Sequence, residues 1–148
     1  MPRPNGYLLD ANIVVGLVPN NALGQYLDRT YRLTAGGFPF YVPIVVVGEL
    51  RALALKWRWG PGRLARLAKT AALFTRLDIS AEAVLDAYAA IDSHSTSVGA
   101  DMGKNDVWIA ATARACNATL LTTDKDFDHL HGTWIDREWE DPTSKLKP

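Results

Sequence analysis

Short apolar segments alternate with longer segments of helical periodicity along almost the whole chain. The short segments predict β-strands at Tyr7–Asp10, Phe38–Val42, Leu77–Ile79, Thr119–Asp124 and Thr133–Ile135. Strands that alternate with helices favour a parallel sheet with helices on both faces. The alternation therefore predicts an α/β fold, and a length of 148 residues suits a single domain over residues 1–148.

Apolar residues at helical spacing predict the helices between these strands. The helices are expected at Ala11–Gly16, from a cap at Asn20 or Asn21 to about Leu33, from about Pro43 to Trp57, at Arg63–Arg76, from a cap at Ser80, and from Asp106 to about Asn117. The β-branched run Ile44–Val47 is also compatible with a longer strand, but the apolar stripe that follows it favours a helix. Ser93–Gly103 predicts a loop, and Asp136–Pro148 predicts a frayed tail.

The composition and the amino-terminal residues indicate the cellular compartment that we expect for the protein. Met1–Gly6 lacks the apolar stretch of a signal peptide, and no segment is long and apolar enough to span a bilayer. The single cysteine, Cys116, excludes an internal disulfide and predicts a small core residue in a reducing compartment. We therefore expect a cytoplasmic protein that does not associate with a membrane.

Four acidic residues occupy unusual positions in this pattern. Asp10 and Asp124 each end a predicted strand, and the carboxyl ends of parallel strands meet at one edge of a sheet. Glu49 opens the helix after the second strand, and Asp106 opens an apolar, alanine-rich helix before the strand that ends at Asp124. Carboxylates gathered there would raise each other's pKa unless a cation lay among them, and Mg²⁺ and Mn²⁺ prefer oxygen ligands.

The alternative interpretation is that these acids are unrelated. Asp106 would then be an N-cap or first-turn residue, because the positive end of a helix favours aspartate there. Asp124 to Asp126 would be an ordinary turn. The positions of the acids leave both interpretations open.

Four segments of the chain resemble, in order and spacing, the motifs of the PIN-domain ribonucleases, and in particular the VapC-type toxins of toxin–antitoxin pairs. These segments are Leu8–Asn12, Gly48–Leu50, Lys104–Ala111 and Leu121–Phe127. The resemblance implies a three-layer α/β/α sandwich with a central parallel sheet. It also implies hydrolysis of RNA phosphodiesters that depends on one or two Mg²⁺ or Mn²⁺ ions.

The resemblance further assigns roles to individual residues. It implies Asp10, Glu49, Asp106 and Asp124 as the catalytic and metal-binding acids, with Asp126 as a possible fifth member. Asn12 and Thr122 match polar positions that orient the acids or a bound water. The expected partners are an RNA substrate and a small cognate antitoxin, and we expect a homodimer.

A basic stretch lies between Glu49 and Asp78, where the sequence contains no acidic residue. One interpretation is a solvated face, and a second is a track for the RNA backbone formed by Arg51, Arg63, Arg66 and Lys69. A third is a groove for a partner peptide, with Tyr26, Tyr31, Trp57 and Trp59 as anchors. Within the stretch, Trp57 fits the apolar stripe of its helix, whereas Trp59 is the candidate for stacking on a base.

Two other functions are compatible with the same residues. The chain could be a catalytically idle PIN-like module that only binds RNA or protein, or a metal-dependent phosphatase. Nucleophilic catalysis through histidine is not indicated, because His94, His129 and His131 are few and scattered and are more typical of surface residues. The sequence contains no glycine-rich phosphate loop.

Overall fold

A single five-stranded parallel sheet forms the centre of the computed structural model, which describes residues 5–19 and 21–143. The strands are β1 (Tyr7–Leu9), β2 (Phe40–Pro43), β3 (Thr75–Leu77), β4 (Thr119–Thr122) and β5 (Arg137–Trp139), in the spatial order β3-β2-β1-β4-β5. Every pairing is parallel, and helices cover both faces of the sheet. The predicted α/β/α sandwich is therefore confirmed.

The middle strand, β1, is the most enclosed part of the sheet. Leu8 and Leu9 are completely buried, and Leu8 pairs with Tyr41 on one side and Leu120 on the other. A run of apolar residues is what a strand covered on both faces requires. From β1 the chain first builds outward through β2 and β3, and then returns to add β4 and β5 on the opposite side. This reversal opens a crevice beyond the carboxyl ends of β1 and β4.

The helices occupy most of the predicted segments. They are α1 (Ala11–Leu17), α2 (Ala22–Tyr31), α3 (Ile44–Lys56), α4 (Pro61–Ala71), α5 (Glu82–Ser97) and α6 (Lys104–Cys116), followed by a short 3₁₀ helix at Lys125–Leu130. The predicted cap Asn21 accepts a 2.9 Å hydrogen bond from the Gly24 amide at the start of α2. Helix α6 ends at Asn117, as predicted, and Asn117 has a left-handed φ of 53°.

Three helical predictions differ from the structure. The predicted loop at Ser93–Gly103 is wrong for its first five residues, because α5 continues to Ser97. The reason is tertiary: Ser95 is buried, and its hydroxyl lies 2.8 Å from Nε2 of His129. The predicted helix Arg63–Arg76 is too long, because Thr75–Leu77 pairs with β2. Of the four residues expected to be buried in that helix, Leu67 is buried, whereas Leu64 is 43% exposed.

The predicted caps and cysteine position also need correction. Ala81, not Ser80, takes the N-cap position of α5 and makes no side-chain capping bond there. Cys116 was expected in the core but is exposed, because the buried residues of α6 end at Ala113. Among the residues that the structure describes, no helix has the length and apolar character needed to cross a bilayer.

The last strand lies closer to the carboxyl terminus than the sequence suggests. The predicted strand at Thr133–Ile135 is wrong, and β5 forms instead within the segment that was expected to be frayed. The Tyr31 hydroxyl lies 2.8 Å from the Glu138 carboxylate and 2.5 Å from that of Glu140, which is buried. These contacts hold β5 against the sheet, so Tyr31 is not available as a surface anchor. Residues 144–148 of the expected tail lie outside the described residues.

Candidate metal centre at the carboxyl edge of the sheet

A cavity of about 270 Å³ opens beyond the carboxyl ends of β1 and β4. Its lining includes the four acids that the sequence singled out: Asp10, Glu49, Asp106 and Asp124. The strand ends supply Asp10 and Asp124, while α3 and α6 supply the other two. The structure therefore brings together carboxylates that are spread over most of the chain.

Asp10 is the most buried of these acids, with 5% of its surface exposed. Its Oδ1 accepts a 2.7 Å hydrogen bond from the Ala11 amide, and its Oδ2 accepts a 2.7 Å bond from the Thr122 hydroxyl. Burial raises the pKa of the Asp10 carboxyl, and the bonds from Thr122 and Ala11 partly offset this increase. The two bonds fix the orientation of the carboxylate, and each oxygen keeps a second acceptor position.

Asp106 is the third residue of α6, and Gly103 occupies the N-cap position without a side-chain capping bond. Burial, and after it the charges of Asp10, Asp124 and other nearby acids, together raise the pKa of the Asp106 carboxyl to about 7. A helix N-terminus that stabilised the charged carboxylate would lower the pKa. The first-turn position was correctly predicted, but burial and the neighbouring acids outweigh any lowering of the pKa by the helix.

Glu49 carries a buried oxygen, Oε1, that has no hydrogen-bond partner among the described residues. Burial raises the pKa of the Glu49 carboxyl, and the charge of Asp10 adds to the effect. A buried polar atom without a partner is destabilising, and it is rare in folded proteins. An oxygen of this kind fits a site that gains a positively charged ligand.

Asp124 and Asp126 combine a turn with a cluster of carboxylates. The Asp126 amide donates a 2.9 Å hydrogen bond to Oδ1 of Asp124, which caps the 3₁₀ helix, so the predicted turn exists. One carboxylate oxygen from each of Asp106, Asp124 and Asp126 also lies within 4.8 Å of the other two. Burial and the charge of Asp124 raise the pKa of Asp126. Being part of a turn does not keep Asp124 out of the acidic cluster.

No basic side chain neutralises the cavity in the part of the chain that the structure describes. The ion pairs there join Lys104 to Asp92 and Arg137 to Asp128, and neither involves a carboxylate of the cavity. An all-oxygen donor set, with raised pKa values at Asp10, Glu49 and Asp106 and an unpartnered Glu49 oxygen, suits a hard divalent cation. The residues present therefore fit the metal that the sequence pattern predicted.

The two polar residues expected to support the acids, Thr122 and Asn12, differ in their contacts. The Thr122 hydroxyl donates to Asp10 and accepts a 3.0 Å hydrogen bond from the Asp124 amide, so it contacts two of the acidic residues. Asn12 lines the cavity but its side chain is exposed. The sequence interpretation missed Ala52 and Leu53, which form part of the cavity wall. Their spacing of three and four residues from Glu49 on a helix was the available signal.

The predicted RNA-binding residues lie away from the acids. Arg51, Arg63, Arg66 and Lys69 are exposed on α3 and α4, and none of them lines the acidic cavity. Arg51 instead borders a separate groove of about 510 Å³ between these two helices. The RNA-backbone track through these four residues stays a prediction.

The histidines are less scattered than expected. The rings of His94 and His129 stack with their centroids 6.3 Å apart, and both side chains are half-buried. Their proximity could not be read from a sequence separation of 35 positions. Neither histidine lines the acidic cavity.

Similarity to known proteins agrees with this architecture. The PIN domain family matches residues 7–132. Ribonuclease VapC4 of Mycobacterium tuberculosis is 37% identical over 93 residues, which cover 62% of this chain and 71% of VapC4. The fold and the acidic cavity therefore agree with the similarity in sequence to PIN-domain proteins. The chain belongs to the PIN-domain family, and within it to the VapC-type proteins.

Two solved structures show the same fold. One is VapBC2 from Rickettsia felis bound to a DNA fragment from its promoter, with a TM-score of 0.78, 23% identity, and coverage of 91% of this chain and 99% of that one. The other is VapBC-5 from Mycobacterium tuberculosis, a member of the VapBC family of toxin–antitoxin systems, with a TM-score of 0.66 and 22% identity. It covers 93% of this chain and all of that one. The solved structures thus agree with the fold, and the match to the PIN domain family confirms the resemblance that the four segments indicated.

Proposed function

We propose that this chain is a divalent-metal-dependent endoribonuclease and the toxin of a toxin–antitoxin pair. The observation that carries the proposal is the convergence of carboxylate oxygens from Asp106, Asp124 and Asp126 within 4.8 Å, beside the unpartnered Glu49 oxygen. Similarity to ribonuclease VapC4 supports RNA as the substrate. The fold shared with VapBC-5 supports an antitoxin as the partner.

The proposed metal ligands are Asp10, Glu49, Asp106 and Asp124, with Asp126 as a further candidate, and the proposed metal is Mg²⁺ or Mn²⁺. When bound, such an ion would neutralise charge on the phosphodiester and lower the pKa of a water molecule. Asp10 is held in place for this task by the Thr122 hydroxyl and the Ala11 amide.

The protonation of Asp106 should also affect metal binding. A carboxyl group with a pKa of about 7 holds a proton on a large fraction of molecules at neutral pH. That proton limits the repulsion among the acids while they lack a cation. Asp106 must release it before it can act as a charged ligand, so metal affinity should rise with pH.

The groove between α3 and α4 is the proposed antitoxin site. Its lining is mainly apolar and includes Val47, Leu50 and Leu67, while Arg51 and Arg76 contribute basic groups. Leu55, also in the lining, is 80% exposed. An amphipathic segment with acidic residues beside its apolar face fits such a groove. The groove supports a partner peptide at this part of the basic stretch, although none of the expected anchors Tyr26, Tyr31, Trp57 and Trp59 lines it.

The test of the proposed function is cleavage of a structured RNA with added Mn²⁺ or with excess EDTA. Asp10→Asn should abolish cleavage while leaving the fold intact, because it removes a charged ligand and keeps the shape of the side chain. The matched control is Asp101→Asn, since Asp101 is an exposed acid outside the cavity. Wild-type cleavage that survives EDTA would contradict the metal mechanism.

Two further measurements separate the alternative functions. An idle RNA- or protein-binding module would show no gain in melting temperature when Mn²⁺ is added. A phosphatase would hydrolyse a phosphomonoester and leave internal RNA bonds intact. The proposed ribonuclease should instead gain stability with Mn²⁺ and cut internal bonds.

A further inference from the structure

The carboxyl-terminal end of α3 presents a tryptophan that belongs to neither the acidic cavity nor the α3–α4 groove. Trp57 is 47% exposed, whereas Trp59 is half-buried and packs against the core. The two ring centroids are 5.8 Å apart, with an angle of 42° between the ring planes. The sequence interpretation had assigned the opposite positions, with Trp57 in the apolar stripe and Trp59 free. The exposed aromatic surface belongs to Trp57.

A tight turn places the two indoles next to each other. The Arg58 amide donates to the Leu55 carbonyl at 3.1 Å, and the Trp59 amide donates to the Ala54 carbonyl at 3.0 Å. Arg58 has a left-handed φ of 54°, where glycine is usual at the end of a helix. Glycine would make the same turn with less strain. A strained residue with an exposed, charged side chain points to a use for that side chain.

The same end of α3 is continuous with the acidic cavity. Glu49, Ala52 and Leu53 line the cavity, and Lys56 follows Glu49 by seven residues, which returns it to the same face of the helix. Trp57 follows Leu53 by four residues. At a rise of about 1.5 Å per residue, Trp57 lies roughly 12 Å along α3 from Glu49. A short single strand of RNA spans that distance.

The charged residues next to Trp57 in the sequence are all basic. Lys56 and Arg58 flank it in the sequence, both are exposed, and no acid occurs between Glu49 and Asp78. The Arg63 guanidinium lies over the Trp59 ring, 5.8 Å from its centroid. Cations beside an exposed aromatic face are the features that bind single-stranded nucleic acid, through phosphate contacts and base stacking.

We propose that Trp57, together with Lys56, Arg58 and Arg63, binds an unpaired nucleobase of the RNA substrate and the phosphates next to it. This inference rests on the proposed ribonuclease function and adds to it the residues that hold an unpaired nucleotide near the bond that is cut. A base inside a duplex has no free face for the indole. Trp57 does not line the α3–α4 groove, and the basic residues next to it in the sequence favour a nucleic acid over an apolar peptide.

The test is the affinity of the whole chain for a short single-stranded oligoribonucleotide of mixed sequence, measured by fluorescence anisotropy in EDTA so that no cleavage occurs. Loss of base stacking in Trp57→Ala should raise Kd by roughly 5- to 100-fold. Trp57→Phe should keep most of the affinity. Leu85→Ala is the matched control, because Leu85 is an exposed apolar residue on α5 that lines neither the α3–α4 groove nor the acidic cavity. Affinity for the same strand annealed to its complement should change little in every variant.

A second variant separates a binding role from a structural one. Arg58→Gly relieves the left-handed strain, so its melting temperature should equal or exceed that of the wild type. It should nevertheless bind the single strand more weakly, and the slope of log K against log salt should become shallower by about 0.7. If Arg58 only shapes the turn, affinity and slope will stay at their wild-type values.

The possible failures are distinguishable. If the wild type binds and cleaves RNA but Trp57→Ala binds the strand equally well, this inference is wrong and the proposed function stands. If Trp57→Ala keeps RNA affinity but loses binding to the cognate antitoxin, the surface is a protein contact and the inference is again wrong. A wild-type chain that neither binds nor cleaves RNA would overturn the proposed function, and the inference with it.

Discussion

The Thr122 hydroxyl donates a 2.7 Å hydrogen bond to Oδ2 of Asp10, which joins the ends of the adjacent strands β1 and β4. The Thr122 hydroxyl oxygen also accepts a 3.0 Å hydrogen bond from the Asp124 amide. Thr122 is completely buried. One side chain therefore sets the position of two of the four acids.

Thr122→Val keeps the volume of this side chain and removes its hydroxyl. The buried Asp10 carboxylate then loses a bond, so unfolding free energy should fall by about 1–3 kcal/mol. Ribonuclease activity should fall as well, because Asp10 is no longer fixed in orientation. Urea unfolding and a cleavage assay measure the two effects. Thr122→Ser, which keeps the hydroxyl, is the control, and an equal loss in both variants would contradict the role of the hydrogen bond.

The stability of the metal-free protein should depend on pH through Asp106. The folded pKa of about 7 exceeds the ordinary value of 3.8, so the folded state holds a proton that the unfolded state releases. The resulting stability is fully present below pH 4 and is lost as the pH rises through 7. After allowance for solvent screening of a half-buried group, the loss amounts to about 1–2 kcal/mol.

Thermal melts in EDTA across this pH range measure that loss. Asp106→Asn has no proton to release, so its stability should vary less with pH, and it should gain less from Mn²⁺ than the wild type does. A variant whose pH profile and Mn²⁺ response both match the wild type would return Asp106 to a structural role at the start of α6.

Glu49→Gln tests two effects of the unpartnered oxygen: its effect on the stability of the metal-free protein, and its contribution to metal binding. The neutral amide removes one charge from the acidic cavity, so the metal-free variant should be as stable as the wild type or more stable. Mn²⁺ should stabilise it less, since an amide is a weaker partner for a hard cation. Calorimetric melts with and without Mn²⁺ test both statements. A metal-free variant that is clearly less stable would mean that Glu49 already has a favourable partner.

Tyr31→Phe should loosen β5. The change removes the hydroxyl that contacts the Glu138 and Glu140 carboxylates, and Glu140 is buried. The expected loss of unfolding free energy is about 1–3 kcal/mol. Faster amide hydrogen exchange at residues 137–139 than at Tyr7–Leu9 would localise the effect. Uniform exchange across the sheet would mean that Tyr31 supports the whole fold rather than this edge.

The parts of the fold that follow from local rules were predictable. The buried strand Tyr7–Leu9, the Asn21 cap and the end of α6 at Asn117 depend on residues close in sequence, and all three were expected. The meeting of Asp10 and Asp124 was also predictable, because parallel strands present their carboxyl ends at one edge. Glu49 was expected to open its helix but is the sixth residue of α3, so its place in the cavity depends on how that helix packs. The individual roles of those acids stay predictions.

The parts that were not predictable depend on distant contacts. Thr133–Ile135 has a composition typical of strands, but the sheet edge formed where Tyr31 reaches Glu138 and Glu140, across more than a hundred positions. The extension of α5 depends on a contact between Ser95 and His129. The exposure of Trp57 and Trp59 was reversed because the chain turns at Arg58 in a conformation that arginine seldom adopts.

The position of β4 next to β1 also determines when the protein becomes dangerous to the cell that makes it. Asp10 and Thr122 meet across 112 positions of sequence. During translation, domains fold from the amino terminus as the chain leaves the ribosome, and contacts between distant segments form late. A nascent chain, or a product truncated before Asp124, lacks part of the acidic set. Under the proposed function, the protein is thus inert for most of its synthesis, which leaves time for an antitoxin to be made.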